Sequence, residues 1–396
     1  MQTFAELGVS ERVIKGLTKK GIEAPFPIQA MVMEDALAGR DVLAKSRTGS
    51  GKTLAFAVPI VEQIDAGTAL PAALVLVPTR ELAVQVKDEF AEIAAAKNLK
   101  ITAVYGGVGI PEQAKSASRS HILIATPGRL QDLMQRKMVS LDKVSILILD
   151  EADRMLDMGF QPQVDRIVDR LPSKRQTMFF SATLDGEVGR LAKLYTRDAS
   201  LHEIVGKKET VDEADHRFVP VKTGDKTGAL VELLKKEGAG TTLVFVRTKR
   251  GADRLAKRLI KSGIKAVAMH GDLTQAARQK ALKGFDQGRY TTLVATDVAA
   301  RGLDVEDITT VVNYDPPEDH KAYVHRIGRT ARAGRKGTGI TLVMPDQQYE
   351  VSRIVSRLDL NTEFKKEGLK VQPPRLAYTS HKGRKSMMRP RPRRKF

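Results

Sequence analysis

One stretch of the sequence, AKSRTGSGKT, combines the residue types that hold phosphate groups. Its glycines let backbone N–H groups surround phosphate oxygens, and the following helical pattern adds a positive N-terminus. Lys52 can reach the β and γ phosphates of a nucleoside triphosphate, and the Thr53 hydroxyl can ligate Mg²⁺. Ser46 stands where the general pattern has glycine, so an ordinary glycine-rich turn is the alternative. The residues predicted to bind the triphosphate are Thr48, Gly49, Ser50, Gly51, Lys52 and Thr53.

A second stretch, ILILDEAD, runs from four branched apolar residues into three carboxylates. Asp150 is placed to hold Mg²⁺ through its water shell, and Glu151 to orient and deprotonate an attacking water. Asp153 is predicted to bond to another motif. The alternative is a solvated loop after a strand. The phosphate loop upstream favours the first interpretation, because the two stretches together complete a nucleoside triphosphate site.

These stretches belong to a repeated pattern of short apolar runs separated by helical segments. Examples are AALVLVP, HILIATP and SILILD in the first half, and TTLVFVRT, YTTLVATD and GITLVMP in the second. Near-continuous apolar strands between helices predict parallel sheets covered on both faces, an α/β fold whose ligands bind beyond the carboxyl ends of the strands. The pattern weakens between residues 200 and 224. We therefore predict domains at 1–205 and 221–370, a linker at 206–220 and a disordered basic tail at 371–396.

Composition indicates a polyanionic partner. The chain has 396 residues, 66 Lys and Arg against 47 Asp and Glu, and a net charge of +19. Nine Lys and Arg and no acids lie between 373 and 396. Such an excess favours nucleic acid but does not choose RNA over DNA. The chain has no cysteine, no leader-like start and no apolar run of the ~20 residues that span a bilayer, so we expect a cytoplasmic protein. The seven histidines show no metal-ligand spacing, which disfavours a metalloenzyme.

The ordered set GSGKT, PTRELA, TPGR, DEAD, SAT, ATDVAARGLD and HRIGRTARAGR resembles the DEAD-box RNA helicases of superfamily 2. The resemblance covers the chain from about residue 4 to residue 344 and implies two tandem RecA-like domains. The segment GIEAPFPIQ resembles the family's adenine-binding motif. It implies that the Gln29 amide pairs with adenine and that Phe4 stacks on the base. Ile22 and Phe26 depart from the aromatic and the threonine that the family usually has there.

The resemblance also implies which residues grip RNA. The segments concerned offer hydroxyls, backbone N–H groups and guanidinium groups, which bind phosphate and sugar without reading sequence. The chain has no Trp and only 5% aromatic residues, which agrees with backbone gripping over base stacking. The predicted RNA-binding residues are Pro78, Thr79, Arg80, Gly106, Gly107, Thr126, Gly128, Arg129, Arg247, Gln275, Arg278 and Thr296.

The second domain is expected to complete the ATP site. Arg329 and Arg332 lie three apart on one helical face and resemble arginine fingers for the γ-phosphate. By the same resemblance Asp304 bonds the ribose of ATP and His325 links the site to SAT and DEAD. Hydroxyls of Ser181 and Thr183 are expected to bond Asp153 and so couple the ATP and RNA states.

The sequence therefore predicts an RNA-dependent ATPase that uses ATP and Mg²⁺. Closure of two domains on one RNA strand would separate a short duplex or remodel a ribonucleoprotein. Two alternatives stay open: a DNA-stimulated translocase of the same superfamily, and an RNA clamp that needs ATP binding but not turnover. We expect a monomer without membrane contact. The basic tail is expected to tether the core to RNA or to ribosomal or RNA-decay assemblies.

Overall fold

The computed structural model describes residues 2–46, 50–204, 214–236, 240–300, 308–330 and 337–372. They form two parallel sheets, one of seven strands and one of six. Every strand pair in both sheets is parallel. The prediction of an α/β protein with two parallel sheets is therefore confirmed.

The first sheet has the strand order β3-β4-β2-β5-β6-β1-β7. Its strands are β1 Val42–Lys45, β2 Ala73–Leu76, β3 Ile101–Val104, β4 Ile122–Ala125, β5 Ile146–Leu149, β6 Gln176–Ser181 and β7 Ser200–Glu203. Its helices are α1 Glu11–Lys19, α2 Pro27–Leu37, α3 Lys52–Gln63, α4 Arg80–Ala95, α5 Ile110–Ala117, α6 Pro127–Gln135, α7 Ala152–Asp157, α8 Gln161–Val168 and α9 Gly186–Tyr195.

The second sheet has the strand order β10-β11-β9-β12-β13-β8. Its strands are β8 Ala214–Pro220, β9 Thr241–Phe245, β10 Ala266–Met269, β11 Thr292–Ala295, β12 Ile308–Asn313 and β13 Gly337–Val343. Its helices are α10 Lys226–Lys236, α11 Lys249–Lys261, α12 Gln275–Asp286, α13 Asp297–Ala300, α14 His320–Ile327, α15 Gln348–Arg357 and α16 Asn361–Lys366, with a 3₁₀ turn at Pro345–Gln347.

Helices cover both faces of each sheet, so the central strands have two buried sides. In β2, Ala73 and Val75 belong to one hydrophobic core, and Leu74 and Leu76 belong to the other. This alternation explains why the central strands are continuous apolar runs, since neither side of the strand faces water. The arrangement leaves the strand ends as the places where polar side chains can gather.

Two strands lie in the polar stretch between residues 200 and 224, where the apolar pattern weakens. Ser200–Glu203 forms the edge strand β7, in which exposed and partly buried residues alternate. Ala214–Pro220, assigned above to a linker, forms the edge strand β8 and pairs with β13 along its whole length. Edge strands have only one partner and a less buried surface, so they do not need a continuous apolar run. The predicted tail lies outside the described residues from 373 onward.

The helices of the described ranges were compared with the length and apolar character that a membrane span requires. None of them is both long enough and apolar enough to cross a membrane.

Candidate functional site

Three polar motifs meet where adjacent strands β5, β6 and β1 end. The backbone N–H of Ser46, at the end of β1, donates to the carbonyl of Ser181 at 3.0 Å. The Asp153 carboxylate accepts from the backbone N–H of Ala182 at 3.2 Å. The phosphate loop, the DEAD segment and the SAT segment are thus joined by two hydrogen bonds. The candidate site therefore lies at the carboxyl edge of the first sheet.

The phosphate loop ends in a left-handed turn that leads directly into a helix. Gly51 has φ of 83°, and α3 begins at the next residue, Lys52. The buried Lys52 Nζ donates to the Ser46 carbonyl at 3.1 Å, and the Ser50 hydroxyl donates to the Ser46 hydroxyl at 3.1 Å. Ser46, which stands in the place of the usual glycine, therefore accepts hydrogen bonds through both its hydroxyl and its carbonyl. An ammonium group beside a helix N-terminus fits a triphosphate. The predicted residues Thr48 and Gly49 lie outside the described part of the chain.

Asp150 and Glu151 are a buried pair of carboxylates, 3% and 4% exposed. Burial raises the pKa of Asp150 to about 7, although the nearby Lys52 charge opposes the rise. Burial would also raise the pKa of Glu151, but the charges of Arg154, Lys52 and Arg329 outweigh it and hold that pKa below its ordinary value. A divalent cation would stabilise ionised Asp150, and oxygen ligands suit Mg²⁺. The residues therefore fit the predicted magnesium site, which would use Asp150 and the Thr53 hydroxyl.

Glu151 is held by an arginine that sequence analysis did not single out. Arg154 Nη1 donates to Glu151 Oε2 at 2.7 Å, and both side chains are nearly completely buried. Glu151 itself has φ of 51°, a left-handed conformation that is uncommon for a residue other than glycine. The i,i+3 spacing between Glu151, the N-cap of α7, and Arg154 in its first turn is the signal that could have revealed this pair. The pair fixes the direction in which the Glu151 carboxylate points.

The second domain supplies the opposite wall of this site. His325, Arg326 and Arg329 line a small cavity together with Arg154 of the first domain. Arg329 is 5% exposed, and its charge contributes to the lowered pKa of Glu151. The structure therefore brings one predicted arginine finger to the predicted general base. The other predicted finger, Arg332, and the ribose ligand Asp304 lie outside the described residues.

The helix that carries His325 is anchored by Arg326; it ends at Ile327, so Arg329 lies in the turn after it and not on a helical face as predicted. The Arg326 guanidinium donates to both carboxylate oxygens of Asp297 at 2.6 and 2.7 Å. It also donates to Asn313 Oδ1 at 3.0 Å and to the Asp315 carbonyl at 2.7 Å. A guanidinium is a planar group with several N–H donors, so a buried arginine needs several acceptors around it. Arg326 therefore acts on the site by positioning α14.

The two residues predicted to contact adenine are both buried in this structure. Gln29 is fully buried, its amide donates to the Gly51 carbonyl at 2.8 Å, and its Oε1 accepts from the Phe26 N–H at 2.9 Å. Phe4 is 3% exposed and packs in the core with Val9 and other apolar residues. In this structure Gln29 braces the phosphate loop and Phe4 is a core residue. Neither presents a free surface to a base.

The predicted RNA-binding residues of the first domain form one surface beyond β2, β3 and β4, which are neighbours in the sheet. The Arg80 guanidinium lies over Gly106 and Gly107, where an added Cβ would be 3.1 and 2.5 Å from its Nη atoms. Arg129 Nη1 donates to the Val108 carbonyl and to Gln113 Oε1, both at 3.0 Å. Glycine is therefore favoured at Gly107 by the positive φ of 91° and by the space that it leaves for the guanidinium. We call Arg80, Gly106, Gly107 and Arg129 the backbone-gripping surface.

The other predicted RNA contacts of the first domain lie beside this surface. Pro78, Thr79 and Thr126 are buried at strand ends, whereas Gly128 is exposed. The Thr79 hydroxyl accepts from the Leu82 N–H at 3.2 Å and so caps α4. This cap sets the direction of the first turn of α4.

The predicted RNA contacts of the second domain are less uniform. Arg247 is exposed, and Thr296 is 7% exposed at the end of β11. Gln275 is buried, and its Oε1 accepts no hydrogen bond within the described ranges. Arg278 is committed elsewhere, because its Nε donates to Glu81 Oε1 of the first domain at 2.8 Å. The structure therefore places Arg278 at the junction of the domains.

The SAT segment contacts DEAD through its backbone. Asp153 accepts from the Ala182 N–H, whereas the Ser181 hydroxyl accepts from the Thr183 N–H at 3.3 Å. The hydroxyls of Ser181 and Thr183 were the predicted donors to Asp153. The structure connects the two segments through the Ala182 N–H instead. A side-chain carboxylate facing the start of a tight turn commonly binds backbone N–H groups.

Replacing Gly107 with alanine is expected to weaken RNA binding by about 10-fold, the worth of one charge-assisted hydrogen bond. Gly107 has φ of 91°, and its new Cβ would lie 2.5 Å from Arg80 Nη1. The guanidinium would have to leave its position. Gly109→Ala is the matched control, since nothing lies within 4 Å of its added Cβ. Fluorescence anisotropy with single-stranded RNA measures the effect, and equal losses in both variants would contradict the assignment.

The fold and site together define a two-domain phosphate-loop protein. The DEAD/DEAH box helicase family model matches residues 26–191, and the helicase conserved C-terminal domain matches residues 225–334. The chain is 40% identical over 377 residues to the DEAD-box ATP-dependent RNA helicase CshA of Geobacillus kaustophilus, covering 95% of this chain and 79% of that protein. It is also 40% identical over 347 residues to CshA of Bacillus subtilis, covering 87% and 70%.

Solved structures are similar in fold as well. Dbp5 of S. cerevisiae bound to RNA and ADP BeF3 aligns with a TM-score of 0.80 and 31% identity, over 93% of this chain and 94% of that one. The chain therefore belongs to the DEAD-box ATP-dependent RNA helicase family. The resemblance predicted from the sequence motifs and the tandem RecA-like fold are both confirmed.

Proposed function

We propose that this protein is an RNA-dependent ATPase that separates short RNA duplexes, or remodels RNA–protein complexes, by closing two domains on one RNA strand. One observation carries the proposal. Arg154, which binds Glu151 in the first domain, lines one small cavity together with Arg329 of the second domain. The phosphate-binding elements and the charge-stabilising arginine therefore come from different domains. Turnover then requires the two domains to be closed.

On the ATP side, we propose a role for each residue of the site. Lys52 leaves its carbonyl partner to neutralise the β and γ phosphates. Mg²⁺, held by Asp150 and Thr53, would offset the negative charge of the triphosphate. Glu151, aimed by Arg154, orients the attacking water and takes its proton. Arg329 stabilises the charge that develops on the γ-phosphate oxygens. Arg332 and Asp304 are proposed as the second finger and the ribose contact.

On the RNA side, the backbone-gripping surface holds phosphates and sugars of one strand. Such contacts fix position without reading sequence. Arg247 and Thr296 of the second domain would hold the same strand when the domains close. When the domains close, the contacts made by the first domain approach those made by the second. The RNA strand between them bends, and its complementary strand is displaced. Hydrolysis then reopens the cleft and releases RNA.

Finer features of the proposal come from composition. We place the protein in the cytoplasm as a monomer, with the segment 371–396 as an electrostatic tether to RNA, ribosomal particles or RNA-decay assemblies. For Phe4 or Gln29 to contact adenine, its side chain would have to move from the buried position that it has in this structure. ATP specificity is therefore proposed from the motif and the family.

The test is the ATP turnover rate of the purified protein without nucleic acid, with single-stranded RNA, and with DNA of the same sequence. We expect strong stimulation by RNA alone, because ATP and RNA favour the same closed arrangement. Equal stimulation by DNA would favour the translocase. Absence of turnover with RNA still held in the presence of ATP would favour the clamp.

A further inference from the structure

Three buried polar side chains lie on the face of the second sheet that α14 covers. Asn313 on β12 and Thr341 on β13 are 0% exposed, and His216 on β8 is 7% exposed. The three strands are neighbours in the sheet, and Asn313 is paired directly with Thr341. The next residues on this face of β12 and β8, Val311 and Phe218, belong to a hydrophobic core. Polar groups in such surroundings cost free energy unless each has a hydrogen-bond partner.

Hydrogen bonds join these three side chains to two residues of α14. Arg326 Nη1 donates to Asn313 Oδ1 at 3.0 Å, and Asn313 Nδ2 donates to Thr341 Oγ1 at 3.0 Å. Thr341 is hydrogen bonded in turn to the Tyr323 hydroxyl, which lies 2.7 Å from His216 Nδ1. A continuous series of five side chains therefore runs from the cavity between the domains, which Arg326 lines, to the edge strand β8. We call these five residues the buried chain.

The strand β8 holds the ring of Tyr323 as well as its hydroxyl. Tyr323 is 1% exposed, and its ring stacks on Phe218 with an interplanar angle of 14° and a centroid distance of 6.2 Å. The centroid of the His216 ring lies 5.7 Å from that of Tyr323. Phe364 of α16 packs edge-on against Phe218 at a centroid distance of 5.2 Å. Because ring packing and directional hydrogen bonds both fix Tyr323, α14 cannot shift along the sheet without breaking them.

Arg329 lies in the turn that follows α14, and this turn is anchored on both sides. The Arg329 N–H donates to the Arg326 carbonyl at 3.1 Å, and Arg329 Nε donates to the His325 carbonyl at 3.4 Å. On the other side, the Thr330 hydroxyl donates to the Ile308 carbonyl at 2.5 Å. The position of the Arg329 guanidinium therefore follows the position of α14.

We propose that the buried chain positions Arg329 for the transition state of ATP hydrolysis. His216, Tyr323 and Thr341 are positioning residues in this scheme, since they do not line the cavity between the domains. Hydrogen bonds are directional, so a buried polar network specifies one position of α14 where apolar contacts would allow several. Such precision matters, because a misplacement of about 1 Å can cost ~10²-fold in rate. The inference rests on the proposed function, in which Arg329 stabilises the charge that develops on the γ-phosphate.

Tyr323→Phe is the first variant in the test, because it keeps the ring and removes only the hydroxyl. His216→Leu removes the partner of that hydroxyl, and His216→Gln supplies a side chain that can both donate and accept. Tyr314→Phe is the matched control, since the Tyr314 hydroxyl lies 3.1 Å from the Thr227 hydroxyl, in the same domain but outside the buried chain. RNA-stimulated ATP turnover of the full chain is measured for each variant, together with KM for ATP, RNA affinity and Tm. The two tyrosine variants are also measured in an Arg329→Ala background, by single-turnover hydrolysis.

We expect Tyr323→Phe and His216→Leu to lower kcat by about 10-fold, less than the loss from a full 1 Å misplacement, with KM for ATP and RNA affinity unchanged. His216→Gln should recover most of the rate. In the Arg329→Ala background, Tyr323→Phe should cause no further loss, because a positioning residue has no effect once the group that it positions is absent.

A residue that only stabilises the fold would lower Tm and leave kcat per folded molecule unchanged. A kcat for Tyr323→Phe equal to that of Tyr314→Phe would overturn the inference and leave the proposed function standing. The same fractional loss from Tyr323→Phe with and without Arg329 would also overturn it, since the hydroxyl would then act by another route. If RNA fails to stimulate turnover by the wild-type chain, the proposed function fails and the inference fails with it.

Discussion

Replacement of Arg329 with alanine should lower RNA-stimulated ATP turnover by roughly 10³-fold, the lower end of the range for an arginine finger. Arg329 is 5% exposed, lines the cavity between the domains and contributes to the lowered pKa of Glu151. Its charge is needed most when negative charge builds up on the γ-phosphate. ATP affinity in the absence of RNA should change little, because the first domain carries the phosphate loop.

Stopped-flow or coupled-assay turnover at saturating RNA measures the effect, with nucleotide affinity measured separately. Arg329→Lys should recover only part of the rate, since lysine keeps the charge but loses the planar fork. Arg353→Ala is the matched control, an exposed arginine on α15 of the same domain. A rate for Arg329→Ala close to that of the control would remove Arg329 from the catalytic site.

Replacement of Glu151 with glutamine should lower turnover by about 10²–10⁴-fold, the usual contribution of a general base. The amide keeps the shape of the carboxylate but cannot take a proton from water. Because Arg154 Nη1 donates to Glu151 Oε2 at 2.7 Å, the amide oxygen can retain this hydrogen bond. The variant should therefore stay folded and still bind ATP and RNA.

Single-turnover hydrolysis separates this loss of chemistry from a loss of binding. Glu187→Gln is the matched control, an exposed carboxylate in the first turn of α9. RNA retained on the Glu151→Gln variant in the presence of ATP would show that closure precedes hydrolysis. A variant that turns over ATP at the wild-type rate would require another base.

The central fold could be predicted because burial on both faces leaves a strong signal. The strands β2, β4 and β5 are fully buried, and each is an uninterrupted apolar run. The edge strands β7 and β8 were missed because one long side of each lacks a partner and polar residues are tolerated there. His216 and Phe218, the two buried residues of β8, are too few to produce a recognisable pattern.

The site could be predicted motif by motif, but the contacts between motifs could not. Lys52, Asp150 and Glu151 are recognised by local spacing. The pairing of Arg278 with Glu81 joins residues of different domains, and no periodicity records how two domains face each other. An aromatic side chain is suited both to packing in a core and to stacking on a base, so the residue type of Phe4 does not distinguish the two. Its 3% exposure shows that in this structure it packs in a core.

The position of β8 has a consequence for the order of events during synthesis. The first sheet is complete once β7 has been made, because β7 pairs with β1. The second sheet begins with β8, whose partner β13 is its last strand. The first domain can therefore fold during synthesis. In the same period β8 stays unpaired, because the rest of the second domain has not yet left the ribosome. Polar residues on β8 hinder its association with other unpaired strands in the meantime, so the feature that concealed this strand also protects the growing chain.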